Sequence, residues 1–185
     1  MDTSDFRTGL TIIMDNDVYQ IVDFQHVKPG KGGAFVRSKL RNLRTGNTLE
    51  KTWRAGEKMD QAILERKKMN FLYNQGDHYV FMDMDSYEQV EIPAASLGAS
   101  VKYLKDNTDV EVCQHKGSII GVDLPSFMEF EVVETDPGLR GDTASGGSKP
   151  AKVETGAVVN VPLFVNIGDK IRVDTRTDSY LERVK

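Results

Sequence analysis

Short apolar runs alternating with polar residues recur along the chain, while the three-to-four spacing of a long helix is nearly absent. Residues 18–27 and 34–43 predict two strands, joined by Lys28-Pro29-Gly30-Lys31-Gly32-Gly33 as a hairpin with a glycine-rich tip. Arg44-Thr45-Gly46-Asn47-Thr48 predicts the next turn, and residues 69–73 and 79–82 predict a second hairpin through Asn74-Gln75-Gly76-Asp77. Met128, Phe130 and Val132 alternate with Glu129 and Glu131, the pattern of a half-buried strand. Asp136-Pro137-Gly138 reads as a turn, residues 141–150 as a small-residue loop, and Asn166-Ile167-Gly168-Asp169 as a turn before a last apolar run. The one helical segment predicted, residues 94–104, is short and interrupted by Gly98. Turns at such close spacing argue for an all-β chain of small barrels or sandwiches. Boundaries near residues 64 and 126 divide it into modules 1–64, 65–126 and 127–185. The first boundary lies in the polar Glu65-Arg66-Lys67-Lys68 run and the second after Leu124-Pro125. Modules this small bury only about 60% of their surface, so neighbours are expected to pack together.

Charge changes this picture locally. The 185 residues carry 24 cations and 28 carboxylates, a net charge of -4, which excludes a globally basic nucleic-acid binder. Yet residues 28–54 hold Lys28, Lys31, Arg37, Lys39, Arg41, Arg44, Lys51 and Arg54 against Glu50 alone. A local patch of this kind attracts a polyanion, because salt confines each field to about 8–10 Å. The longest charge-free stretch near the C-terminus, residues 156–168, is too short to span a bilayer. The first residues are acidic where a signal peptide is basic, and Cys113 has no second cysteine to pair with. These features lead to the expectation of a soluble cytoplasmic protein in a reducing compartment, with no membrane partner.

Catalytic chemistry is not indicated. His26, His78 and His115 are far apart, no zinc pattern exists with one cysteine, and no nucleophile elbow, phosphate loop or dinucleotide fingerprint occurs. The expectation is a non-enzyme without metal or cofactor. What remains is the tip: glycines permit positive φ and close approach, Pro29 fixes its own φ, and Lys31 stands among them as one long cation. An ordinary solvated turn with a solubilising lysine accounts for the same residues. Behind the tip, Arg37, Lys39 and Arg41 are spaced by two, so their side chains share one strand face about 6.6 Å apart, with Phe35 leading that face. Such a ladder suits a sugar–phosphate backbone, and it also suits an exposed edge protected by charge.

The segment 28–35 followed by Lys39-Leu40-Arg41-Asn42-Leu43 resembles the first-domain hairpin of the bacterial translation elongation factor P family. The C-terminal third is similar as well. Lys149-Pro150-Ala151, Gly156, Val159, Val161-Pro162, Val165 and Gly168 follow the family's signature, and Asp174-Thr175-Arg176 with Tyr180-Leu181-Glu182-Arg183 follow its ending. The stretches 135–138 and 140–143 also have the family's form. This resemblance implies an N-terminal SH3-like (KOW-like) barrel and two OB-fold barrels in an L-shaped, tRNA-like arrangement. It implies binding to the 70S ribosome between the peptidyl and exit tRNA sites, contact with peptidyl-tRNA and ribosomal RNA, and relief of stalling at consecutive prolines. Lys31 would be the working tip, held by Pro29, Gly30, Gly32 and Gly33, and the target of a modifying enzyme that lengthens it covalently. The same resemblance makes Lys28, Arg37, Lys39, Arg41, Gly141, Asp142, Thr143, Tyr180 and Arg183 candidate RNA contacts, and a monomer the expected state. For Tyr180 and Arg183, packing within the last barrel is an equal alternative. A generic single-stranded RNA binder and an SH3-like adaptor for proline-rich peptides are the competing readings. Both call for clustered aromatics, and aromatic residues are only 8% of the chain.

Overall fold

A computed structural model of the chain describes residues 1–138 and 147–185; Gly141, Asp142 and Thr143 therefore lie outside the described residues. The first sheet contains β1 (Thr11–Met14), β2 (Asp17–Val27), β3 (Phe35–Asn42), β4 (Thr48–Arg54) and β5 (Asp60–Gln61), in the order β4-β3-β2-β1-β5. The second contains β6 (Glu65–Gln75), β7 (His78–Asp83), β8 (Gln89–Pro93), β9 (Thr108–His115) and β10 (Ser118–Asp123), in the order β10-β9-β6-β7-β8. The third contains β11 (Phe127–Thr135), β12 (Ser148–Val153), β13 (Val158–Pro162), β14 (Lys170–Asp174) and β15 (Ser179–Val184), in the order β13-β12-β11-β14-β15. The chain is all-β, as its alternation predicts. The expected helix is reduced to α1 (Ala94–Leu97) and a 3-10 turn, Gly98–Tyr103. No helix among the described residues is long and apolar enough to cross a membrane.

Three local features differ from the sequence reading. The polar run Glu65-Arg66-Lys67-Lys68 is the beginning of β6, with all four residues exposed. The backbone keeps strand geometry there while the side chains stay in water. Ser148, Lys149 and Pro150, expected in a loop, begin β12. Pairing of β11 with β12 stops at Ala151, so the missing N–H of Pro150 falls where only β13 pairs. The hairpin β9–β10 turns through Lys116 (φ +48) and Gly117 (φ +79), a two-residue turn without the Asn-Gly or Asp-Gly signal.

By compactness the chain divides into two units, residues 1–67 with 112–121, and residues 68–111 with 122–185. In the first unit, one face of β3 sends Val36 and Leu40 into a core with Phe6, Leu10, Ile12, Ile21 and Trp53. Trp53 meets Phe6 edge to face at 5.8 Å, and its indole N–H donates to the Ser38 hydroxyl at 2.8 Å. In the second unit, Met69, Phe71, Phe81 and Ile92 are buried beneath β6–β8. The core of the third sheet gathers Phe130, Val132, Ala151, Val159, Ile171 and Val173, and Tyr103 from the 3-10 turn is inserted among them. The end strands β13 and β15 approach one another, which curls this sheet. At its edge the buried Lys149 donates to the Asp136 carbonyl, and Gly138 lies so close to Leu163 that a Cβ would sit 2.3 Å from its carbonyl oxygen.

Candidate functional site on the first hairpin

The last β2–β3 pair is Val27 with Phe35, which leaves residues 28–34 as the connecting loop. Lys28, Pro29, Gly30, Lys31, Gly32 and Gly33 are all exposed. Gly32 has φ +110, a conformation that a residue with a Cβ rarely adopts, although a Cβ there would meet nothing closer than Pro29 Cγ at 3.9 Å. Glycine is thus required at this position by backbone conformation and not by crowding. The Lys31 side chain makes no hydrogen bond, ion pair or ring contact among the described residues, so the apex presents a single unengaged ammonium group.

Along β3 the burial pattern alternates strictly: Val36, Ser38, Leu40 and Asn42 face the core, while Arg37, Lys39 and Arg41 face solvent. The flanking strands give these three cations different surroundings. Arg37 lies opposite Gln25 on β2 and Thr52 on β4, and Arg41 opposite Gln20 and Thr48. Lys39 lies opposite two carboxylates, Asp23 and Glu50. A bulge between Ile21 and Asp23 produces this match, because the extra residue brings Asp23 to the exposed face beside Lys39. Phe35 faces Val27 and Arg54, and the Arg37 guanidinium stands 5.5 Å over the Phe35 ring. Asp23, Arg37, Lys39 and Glu50 border a shallow cavity of about 320 Å³. Arg54 is exposed and joins the cationic face across the β3–β4 pairing. The sequence reading did not select it; the alternation of Thr48, Glu50, Thr52 and Arg54 with Leu49, Lys51 and Trp53 is the signal that carries it.

The other candidate residues belong to the second unit. Tyr180 is half-buried against the core of the third sheet, and burial pushes its hydroxyl above the ordinary tyrosine value. The Arg183 guanidinium lies 5.3 Å over the exposed Phe164 ring and 3.5 Å from the Asp169 carboxylate. Among the histidines, His26 packs edge-on to Phe24 at 5.6 Å, His115 Nδ1 lies 3.2 Å from the Ile63 carbonyl, and His78 is exposed at the start of β7. Among the described residues no group of three or more His, Cys, Asp or Glu side chains is arranged to hold a metal ion. Cys113 is buried without a disulfide.

Three family models match the chain in succession. They are the Elongation factor P (EF-P) KOW-like domain at residues 2–59, the Elongation factor P (EF-P) OB domain at residues 64–122, and Elongation factor P, C-terminal, at residues 128–183. The elongation factor P of Pelotomaculum thermopropionicum is 60% identical over 184 residues, covering 100% of both chains. That of a Synechococcus species is 54% identical over 183 residues, covering 99% of both. Among solved structures, eukaryotic translation initiation factor 5A from Methanococcus jannaschii matches with a TM-score of 0.54 at 26% identity, over 64% of this chain and 88% of that one. With the KOW-like hairpin, the OB domain and the C-terminal sheet each matched in order and the relatives aligned end to end, this chain belongs to the elongation factor P family of translation elongation factors.

Proposed function

We propose that this translation elongation factor acts as a non-catalytic positioning device on the 70S ribosome, bound between the peptidyl and exit tRNA sites. It stimulates peptide-bond formation where consecutive prolines stall synthesis. One observation carries this reading: Lys31 projects from a glycine-bounded apex, exposed and without a partner of its own. A lysine so placed is free to engage a partner outside the molecule and is open to a modifying enzyme that would extend its reach. Proline is an awkward donor and acceptor because its ring fixes φ. An arm that restrains the acceptor end of peptidyl-tRNA attacks this problem through geometry, and orientation contributes several kcal/mol (about 7–11 at best), whereas one exposed charge pair contributes about 1 or less. Arg37 and Arg41 on the solvent face of β3, with Lys28 at its approach, supply the anchoring contacts to RNA backbone. Tyr180 and Arg183 would meet RNA from the last domain, as would Gly141, Asp142 and Thr143, which lie outside the described residues. The working state is a cytoplasmic monomer.

Co-sedimentation tests this assignment. The chain is expected to pellet with 70S ribosomes carrying peptidyl-tRNA and to be released as KCl rises. Retention on bulk single-stranded RNA without retention on ribosomes would favour a generic RNA-binding protein instead.

A further inference from the structure

We propose that Arg37, stacked over the Phe35 ring, and Arg54, opposite Phe35 in the strand register, form a phosphate-binding site for RNA at the tip end of the hairpin face, to which Lys39 contributes little. This rests on the reading that the hairpin meets RNA. The cross-strand register carries the argument. Directly opposed side chains on adjacent strands lie about 4.5–5.5 Å apart at Cβ, so each row across β2, β3 and β4 acts as one local charge. The row Val27–Phe35–Arg54 is positive, and so is the row Gln25–Arg37–Thr52. The next row, Asp23–Lys39–Glu50, sets two carboxylates around one ammonium and is negative. The row Gln20–Arg41–Thr48 is positive again. What is a uniform ladder of cations along the β3 sequence is therefore a doubly positive end, a negative break and an isolated arginine.

The doubly positive end is also the better organised. Arg37 stacks at 5.5 Å on Phe35, which limits the guanidinium's freedom before any ligand arrives. Glu57 accepts a hydrogen bond from the Arg54 backbone N–H at 2.9 Å, and the exposed Arg54 guanidinium has no ion pair among the described residues. Two guanidinium forks on neighbouring rows match the oxygens of one phosphodiester or of two successive ones. The β2 bulge has a role here too: it places Asp23 against Lys39 and so creates the break.

Binding of the full chain to labelled bulk tRNA and to 70S ribosomes carrying peptidyl-tRNA, over a KCl series, tests the site. Arg37→Gln and Arg54→Gln are each expected to weaken binding about 3- to 10-fold and to lower the slope of log K against log[KCl] by about one. Lys39→Gln is expected to weaken binding by less than about 2-fold, and Glu50→Gln to tighten it about 2- to 5-fold by unmasking Lys39. Thermal midpoints equal to wild type establish that the variants are folded. A silent Arg54→Gln, or a Lys39→Gln as damaging as Arg54→Gln, overturns the proposal. If the expected pattern appears with tRNA while ribosomes are not bound, the ribosomal reading falls and the phosphate site stands. If wild type binds neither RNA, the site falls as well.

Discussion

Ser38 shows how single residues keep the hairpin platform intact. It occupies an inward position of β3, and its hydroxyl accepts the indole N–H of Trp53, the chain's only tryptophan. Ser38→Ala would leave that buried donor without an acceptor, and such a loss costs about 1–3 kcal/mol. A lower urea midpoint, followed by Trp53 fluorescence, is the expected result; an unchanged midpoint would mean that water or another acceptor replaces the hydroxyl. Asp17 holds the start of β2 by accepting from Arg44 at 2.6 Å and from Asn42 at 3.0 Å. These bonds, that from Arg44 foremost, lower its carboxyl from 3.8 to about 2. A depressed folded value adds stability that is fully present above the unfolded value of 3.8 and is lost as pH falls towards 2. Thermal melts between these limits should therefore show wild type losing stability more steeply than Asp17→Asn. Parallel curves would remove Asp17 from the acid response. The sequence displays the Ser38 alternation but not its partner, because Trp53 arrives from another strand.

At the scale of the element, the hairpin was the most legible part of the molecule. Strict alternation over β3 and a glycine-bounded turn are local signals, and they fixed both the exposed cations and the apex. The unequal worth of those cations was not legible, since it depends on a bulge in β2 and on register with two neighbouring strands. The hairpin β9–β10 was missed for the opposite reason: its Lys116-Gly117 turn gives a weak local signal. On the proposed function, the apex also separates activity from stability. Gly32→Ala introduces a Cβ at φ +110, where strain is unavoidable, yet nothing packs on the apex. The thermal midpoint is expected to stay within about 2 °C of wild type while stimulation of translation falls, because the strain is relieved by moving the exposed tip and not the core. A fall in midpoint without loss of stimulation would contradict this division.

Whole-molecule organisation was the least visible from sequence. Tyr103 follows a short helix in the chain, yet it lies in the core of the third sheet, 5.5 Å from Phe130, with its hydroxyl donating to Asp178 at 2.6 Å. Lys102 pairs with the same carboxylate at 2.9 Å, and Lys105 with Glu154 at 2.9 Å. Tyr103 thereby ties residues 68–111 to the core of the third sheet within one compact unit. Tyr103→Ala is expected to cost about 3–5 kcal/mol and to lower amide protection in both segments together. Loss confined to residues 127–185 would argue for separate folding. The charge of the molecule follows the same logic of scale: a net -4 conceals the cationic first hairpin, because salt confines each field to its own neighbourhood. The central claim, that Lys31 works by positioning peptidyl-tRNA, is tested most directly in a reconstituted translation system lacking this factor and reading a message with three consecutive proline codons. Wild-type protein purified from its own host is expected to restore full-length product, and Lys31→Ala prepared in the same way is expected to leave the stall in place. Equal rescue by both proteins would contradict the account and move the working part of the molecule away from the hairpin apex.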